Sequence, residues 1–407
     1  MKRITFLTCL AAVFLIMLTG SSYGQIGENV ASYIFPELKT MGAPAWAKEG
    51  LRLTYTSSQA NMVLQSFSSD PSTASGGGYT QVEIAAIDGR HAVLNVRCWG
   101  LASPKGPVIP VGNTSVVEAA SAPGNWWINP AIFRSLPAEK KYAYQVPDEN
   151  GRIVAEGEVI STRISYPIGS KAVSAYRFQS RGVRYVGYKE NYADILNEKT
   201  DWTFSTDTGI MLHCSTDSET YASQAKRKLS GESTFLGVRQ VSYPWSGGQV
   251  PSWIGAVQSL GYSGTITMAL PGNPPGVQAT SITDQVTARG SNWLQYRQTE
   301  VRQNLPGIPP YQDIRSLVAG PGMPGALFVP PGPCKGLSAG YALDSDPLTG
   351  TKFSVASNDG KAITLKEVGQ THFIEATYDL GTGTLVKLRA GGRDGKLIIQ
   401  AALISVK

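Results

Sequence analysis

The 407-residue chain is predicted to be mainly β: two related halves of curled antiparallel sheet, each half-barrel-like, with a few short helices. Three observations predict this. Short runs of β-branched and aromatic residues alternate with polar ones and end at Gly, Pro, Asn or Asp, the pattern of strands joined by tight turns. After the first 24 residues no helical pattern exceeds a few turns, so the crossover helices that parallel strands need are missing. The stretch Trp202-Thr-Phe-Ser-Thr-Asp-Thr-Gly-Ile-Met-Leu212 recurs in outline as Ala376-Thr-Tyr-Asp-Leu-Gly-Thr-Gly-Thr-Leu-Val386, with Thr208-Gly209 matched by Thr382-Gly383. Asp, Thr and Gly suit a tight hairpin, and two copies indicate a duplicated chain.

Residues 1–24 read as a signal peptide: Lys2 and Arg3, the apolar run Ile4 to Leu18, then small residues at Ser22 and Gly24. The run is shorter than the roughly 20 residues that span a bilayer. The remainder is therefore expected to be exported, periplasmic or extracellular, and not an integral membrane protein once the leader is cut. With 42% hydrophobic and 16% charged residues, the composition is that of a folded domain and not a disordered chain. The net charge is +6, two of it from Lys2 and Arg3, and the basic residues are too scattered to indicate nucleic acid. Cys98, Cys214 and Cys334 follow the leader; an odd number leaves at least one unpaired, and the pairing stays open.

Behind the leader the reading divides into an N-terminal arm (25–46), a first β half (47–245) and a second β half (253–407) with a Pro/Gly-rich insertion (305–333). The arm is expected to be helical around Ile26 to Ile34. Leu51 to Ser57 alternates as a half-buried strand, and Ser68 to Gly78 reads as a Ser/Gly-rich tip. Tyr79 to Ile87 and His91 to Trp99 form a hairpin through Asp88-Gly89. Ala102 to Gly124 reads as a Pro/Gly loop, followed by Asn125-Trp-Trp-Ile-Asn-Pro130 and a helical turn from Ala131 to Leu136. Tyr142 to Val146 and Arg152 to Val159 form a hairpin across Pro147 to Gly151. Two strands, Ala172 to Gln179 and Gly182 to Tyr188, precede the Thr-Gly hairpin, and Thr220 to Leu229 is expected to be a short helix. Ser233 to Tyr243 closes the half.

The second half repeats the order: Tyr262 to Met268, Pro324 to Pro331 against Pro123 to Pro130, Tyr341 to Gly350 against the hairpin at Tyr142, the second Thr-Gly hairpin, and Lys396 to Val406. The insertion is expected to wrap the surface or rim a cleft. Sheets apolar on one face curl and need a lid, which Trp126-Trp127-Ile128 and Leu327-Phe328-Val329 would supply. The opening strand with a Tyr, the meander, and the hairpin Tyr378-Asp-Leu-Gly-Thr-Gly-Thr-Leu385 resemble secreted bacterial proteins of the lipoprotein-carrier type. That resemblance, to no specific family, implies a curled antiparallel sheet whose concave face holds an acyl chain or packs a helix. The first-half copy departs from it, with Phe204-Ser-Thr-Asp207 in place of Tyr-Asp.

Signatures of catalysis are missing. The three His are dispersed, and there is no His-Glu-x-x-His, Gly-x-Ser-x-Gly, phosphate loop or Cys-x-x-Cys. His213-Cys214 would face opposite ways on a strand, which argues against shared metal or proton chemistry. Asp344-Ser-Asp346 begins like a calcium loop but lacks its later ligands, so it reads as a polar hairpin tip. Neither metal nor cofactor is expected. The candidate ligand residues are Trp126, Trp127, Leu327 and Phe328. The function expected is that of a non-enzymatic envelope protein binding a lipid, a lipidated chain or another envelope protein in a sheet cleft. A carbohydrate-binding or adhesion module using the Trp residues is the alternative, and a hydrolase with dispersed carboxylates the further one.

Overall fold

The computed structural model describes residues 30–407 except 66–71, 102, 104–105, 125, 149, 190–191, 223–224, 247–249, 269–275, 304–310 and 324. The leader, and the arm before Val30, lie outside the described residues. The first half holds β1 (Leu51–Gln65), β2 (Ser72–Asp88), β3 (His91–Leu101), β4 (Val108–Ala119), β5 (Glu139–Pro147), β6 (Ile153–Ile168), β7 (Lys171–Lys189), β8 (Tyr192–Ser205), β9 (Met211–Ala222) and β10 (Ala225–Gln240). The second holds β11 (Ser259–Met268), β12 (Gly276–Arg289), β13 (Leu294–Arg302), β14 (Tyr311–Ala319), β15 (Ala342–Ser345), β16 (Lys352–Asn358), β17 (Ala362–Val368), β18 (His372–Asp379), β19 (Leu385–Gly392) and β20 (Leu397–Val406).

Each half is one ten-stranded antiparallel sheet, ordered β4-β3-β2-β1-β10-β9-β8-β7-β6-β5 and, identically, β14-β13-β12-β11-β20-β19-β18-β17-β16-β15. First and last strands meet at the centre, and neither sheet closes: the outer edges, β4 and β5 or β14 and β15, flank a slit. The two halves share irregularities as well as order. A bulge falls beside Tyr55 where β1 pairs β10, and beside Tyr262 where β11 pairs β20. The duplication and the mainly β fold are thus both observed.

One face of each sheet is lined by the core. In the first half Leu53, Tyr55, Val82, Ile84, Phe178 and Phe204 pack there, and in the second Leu260, Tyr262, Phe353, Leu365 and Tyr378. The segment between β4 and β5 crosses underneath, pairing Trp127 with Ile210; its counterpart pairs Phe328 with Thr384. Ile128 donates its N–H to the Gly209 carbonyl and Val329 to that of Gly383, both at 2.9 Å. Gly209 (φ 74°) and Gly383 (φ 72°) lie in the left-handed region, and a Cβ on either would strike the Ile128 or Val329 carbonyl. Only glycine meets both demands, which explains why Thr-Gly recurs.

A lead-in seals the same place in each half. The Trp46 indole donates to the Thr208 carbonyl at 2.5 Å and stands edge-on to Trp127 at 5.4 Å. Trp253 donates to the Thr382 carbonyl at 2.9 Å and stands edge-on to Phe328 at 6.2 Å. Behind them Phe35 and Leu38 enter the first core, as Tyr243 and Trp245 enter the second. The helices are short: α-helical turns at Val30–Ile34 and Pro331–Cys334, and 3-10 turns at Pro36–Thr40, Pro130–Arg134 and Ser252–Gly255.

Several expectations are corrected. Thr220 to Leu229 is not a helix but belongs to β9 and β10, where Lys228 lies opposite Glu219 and pairs with it at 2.8 Å. The sequence of this stretch lacks strand alternation; pairing with the neighbouring strands holds its backbone extended. The tip reading fails at Gly76 to Gly78, which sit in β2, Gly78 because a Cβ there would strike the Trp99 carbonyl. The Ala102 to Gly124 loop contains β4, and the 305–333 insertion contains β14. Both are edge strands, where a residue such as Pro110, beside a register shift, is tolerated. The two strands from Ala172 to Tyr188 are one, β7.

Candidate functional site

The four candidate ligand residues lie in two places. Trp127 and Phe328 are fully buried, Leu327 nearly so, and Trp126 half-buried, its ring 5.3 Å from that of Tyr55. The Trp127 indole donates to the Ala120 carbonyl at 2.9 Å. All four act as the lid, filling the cores beneath the crossing segments: Trp126 and Trp127 in the first, Leu327 and Phe328 in the second.

His213 approaches Thr234 Oγ1 at 3.3 Å through Nδ1, while burial pushes the Cys214 thiol up to about 12. Burial also raises Cys98, and pushes Cys334 to about 12; all three thiols are free. Among the described residues no three His, Cys, Asp or Glu side chains converge as a metal site.

Asp344 and Asp346 stand at a hairpin turn between β15 and β16, as the sequence reads, and the turn lies under the first half, with Asp346 buried and Asp344 part-buried. The outer face of β1 to β3, opposite the first core, presents Arg52, Gln81, Glu83 and Arg97 to the slit of the second half. Arg52 binds Glu83 on its own sheet at 2.6 Å, and reaches Asp344 at 3.0 Å and Asp346 at 3.1 Å across the junction. Gln81 donates to Asp346 at 2.5 Å, and Arg239 to Asp344 at 2.5 Å. Arg97 forks onto Glu367, whose other neighbour is His372 Nε2 at 3.2 Å. Three guanidinium groups thus face four carboxylates in a nearly dry space, with a cavity of about 10 Å³ that a single water would fill.

The charges behave accordingly. Burial alone would raise the Glu367 carboxyl; Arg97 and the hydrogen bond from His372 overcome it and hold the group at about 2. Burial likewise opposes ionisation of Asp346, and Gln81 and Arg52 outweigh it, leaving the group below the usual range. An unpaired member of such a junction would be costly.

A dry patch adjoins it. Ala85, Ala86 and Val93 of the first half pack on Trp293 and Val318 of the second. Asp88 accepts from the Ser291 N–H at 2.8 Å and the Trp293 indole at 3.2 Å, and Ser115 Oγ from the Val318 N–H at 2.7 Å. The sequence marks this junction only through Asp344-Ser-Asp346 and the basic residues at alternate positions of strands whose other face is apolar.

Two solvent-exposed apolar pairs repeat between the halves. At the β1–β10 bulge Leu236 and Val238 project into solvent, each 51% exposed; at the β11–β20 bulge Ile404 and Val406 do so at 68% and 54%. A bulge re-aims side chains, so the same irregularity exposes an apolar pair in each half.

Fold and site define a class: a duplicated, slit-sided antiparallel sheet whose first half covers the slit of its second through buried ion pairs. No family model matches the chain, and no curated protein matches it. Among solved structures, a protein of unknown function of the DUF3598 family from Nostoc punctiforme is similar at 9% identity. It covers 86% of this chain and 95% of that chain with a TM-score of 0.13, a likeness too slight to carry an argument. Among the described residues no helix is long and apolar enough to cross a membrane.

Proposed function

We propose that this chain is an exported, non-enzymatic envelope protein that binds a protein partner on its outer surfaces. One observation carries the reading: the aromatic lids and lead-ins already fill both sheet concavities, which speaks for a partner outside the sheets over an acyl chain within them. The apolar pairs Leu236/Val238 and Ile404/Val406, exposed at equivalent bulges, support it, because repeated exposed apolar residues suit a contact surface. The charged junction would hold the two halves in one orientation, so that both surfaces meet a partner together.

The test places a photo-crosslinking residue at Val238 or Val406 in cells, with native mass spectrometry of the protein drawn from its own envelope. A discrete protein adduct at these positions, and a protein free of lipid, is the expected result. A stoichiometric lipid adduct would overturn the reading in favour of an apolar ligand.

A further inference from the structure

The two halves meet head to tail. The outer face of β1–β4 covers the slit between β14 and β15, and the internal repeat supplies a second copy of each surface; on the second face, among the described residues, only the Trp293 and Val318 end is covered, by the first half. The register of the pairs fixes the equivalences. Since Tyr55 and Tyr262 occupy matching bulges, Arg97 corresponds to Thr299, Trp99 to Val301 and Asn113 to Ile314. Trp99 is buried in the junction, whereas Val301 is 42% and Ile314 59% exposed. These two project from the outer face of β13 and β14, among Ser, Thr and Gln residues with Arg297 as the charged member.

The slit shows the same contrast. Asp346 corresponds to Asp148, Glu367 to Ser180 and His372 to Glu198, by turn geometry and by the β7–β8 and β17–β18 registers. Asp346 is covered by Arg52 and Gln81, while Asp148 meets the exposed Arg152 and the Asn150 N–H of its own turn. Along β5 the side chains of Ala143 and Gln145 are exposed. A heterologous contact repeated by two surfaces left over at opposite ends of a molecule continues from one copy to the next.

We propose that this chain self-associates head to tail, the outer face of β11–β14 of one molecule covering the slit between β4 and β5 of the next. The proposal goes beyond the protein-partner reading, placing a second copy of the chain on surfaces other than the two bulge pairs. Thr299 and Ser259 stand where Arg97 and Arg52 stand in the internal junction, so the contact between copies has fewer ion pairs. Association is therefore reversible and concentration-dependent.

Sedimentation velocity of the purified chain from about 1 µM to about 1 mM tests this, across a range that spans weak protein association. Two variants carry changes at exposed positions, with folding checked by circular dichroism: Val301→Glu/Ile314→Glu on the face, and Ala143→Arg/Gln145→Arg on the slit edge. The wild type should pass beyond dimer as concentration rises, each variant alone should stay monomeric, and an equal mixture should give one-to-one dimers and nothing larger. A wild type monomeric throughout, or one that stops at dimer, overturns the proposal, as does a mixture that yields no dimer. A monomeric wild type that still gives a protein adduct in the envelope crosslinking overturns self-association and leaves the partner reading standing; a lipid adduct overturns the partner reading while self-association stands or falls on the sedimentation result.

Discussion

Arg97→Leu should be among the most damaging single changes in the junction. It removes the guanidinium that faces Glu367, a carboxylate with 2% of its side chain exposed, and leaves that charge with His372 as its neighbour. The fall of Glu367 from 4.5 to about 2 corresponds to about 3 kcal/mol of stabilisation of the ionised form, at 1.36 kcal/mol for each tenfold change. Because the folded-state value is depressed, that contribution is present above pH 4.5 and is lost as pH falls toward 2. Urea unfolding at pH 7, followed by tryptophan fluorescence, should therefore show Arg97→Leu losing about 3 kcal/mol, in the range for breaking a buried pair. Arg97→Leu combined with Glu367→Leu should recover most of the loss, since no charge is then stranded, and should lack this part of the acid sensitivity. A single variant costing less than about 1 kcal/mol, or a double variant as unstable as the single, would refute the argument from the buried charge.

Asp284 is raised to about 6 by burial, with the Gln298 amide opposing, and the pair stands where the first half has Val82 and Val96. A raised carboxyl favours the folded state only while protonated, so stability should fall by up to about 3 kcal/mol as pH rises from about 4 to 6. Asp284→Val/Gln298→Val should abolish that slope in urea titrations. Gly383→Ala should cost more than about 1 kcal/mol, because it forces both a left-handed Cβ and a clash with the Val329 carbonyl. Gly395→Ala (φ 73°, open space) meets no clash and should lower Tm less. Cys214 should react with maleimide at pH 7 orders of magnitude more slowly in the folded protein than in urea, because burial suppresses the thiolate.

The duplication was legible because its carriers are turn residues. Thr208-Gly209 and Thr382-Gly383 answer to a backbone requirement that no other residue type meets, so they persist where the strands around them have diverged. Interior strands such as β2 and β3, with Asp88-Gly89 between them, were legible for the same reason together with their alternation. The edge strands β4 and β14 were not, since an edge accepts Pro and polar residues and keeps little periodicity. Nor were the outer ends of β9 and β10, whose sequence keeps no strand alternation and whose backbone is extended through pairing with the strands on either side. The junction was the least legible part. Asp346 and Asp148 head similar turns, and nothing local distinguishes the one covered by Arg52 from the one at the surface; the difference is made by residues 294 positions away.

The central seam of each sheet joins its first strand to its last. Thr56 on β1 meets Thr234 on β10, 178 residues later. Contacts of such separation carry a large loop-closure cost and slow folding. While β10 is still to be made, β1 waits as an unpaired edge with Leu53 and Tyr55 uncovered, a state prone to mispairing. The first half must therefore remain unfinished through most of its synthesis, and its completion is a late event in which one arriving strand commits nine others.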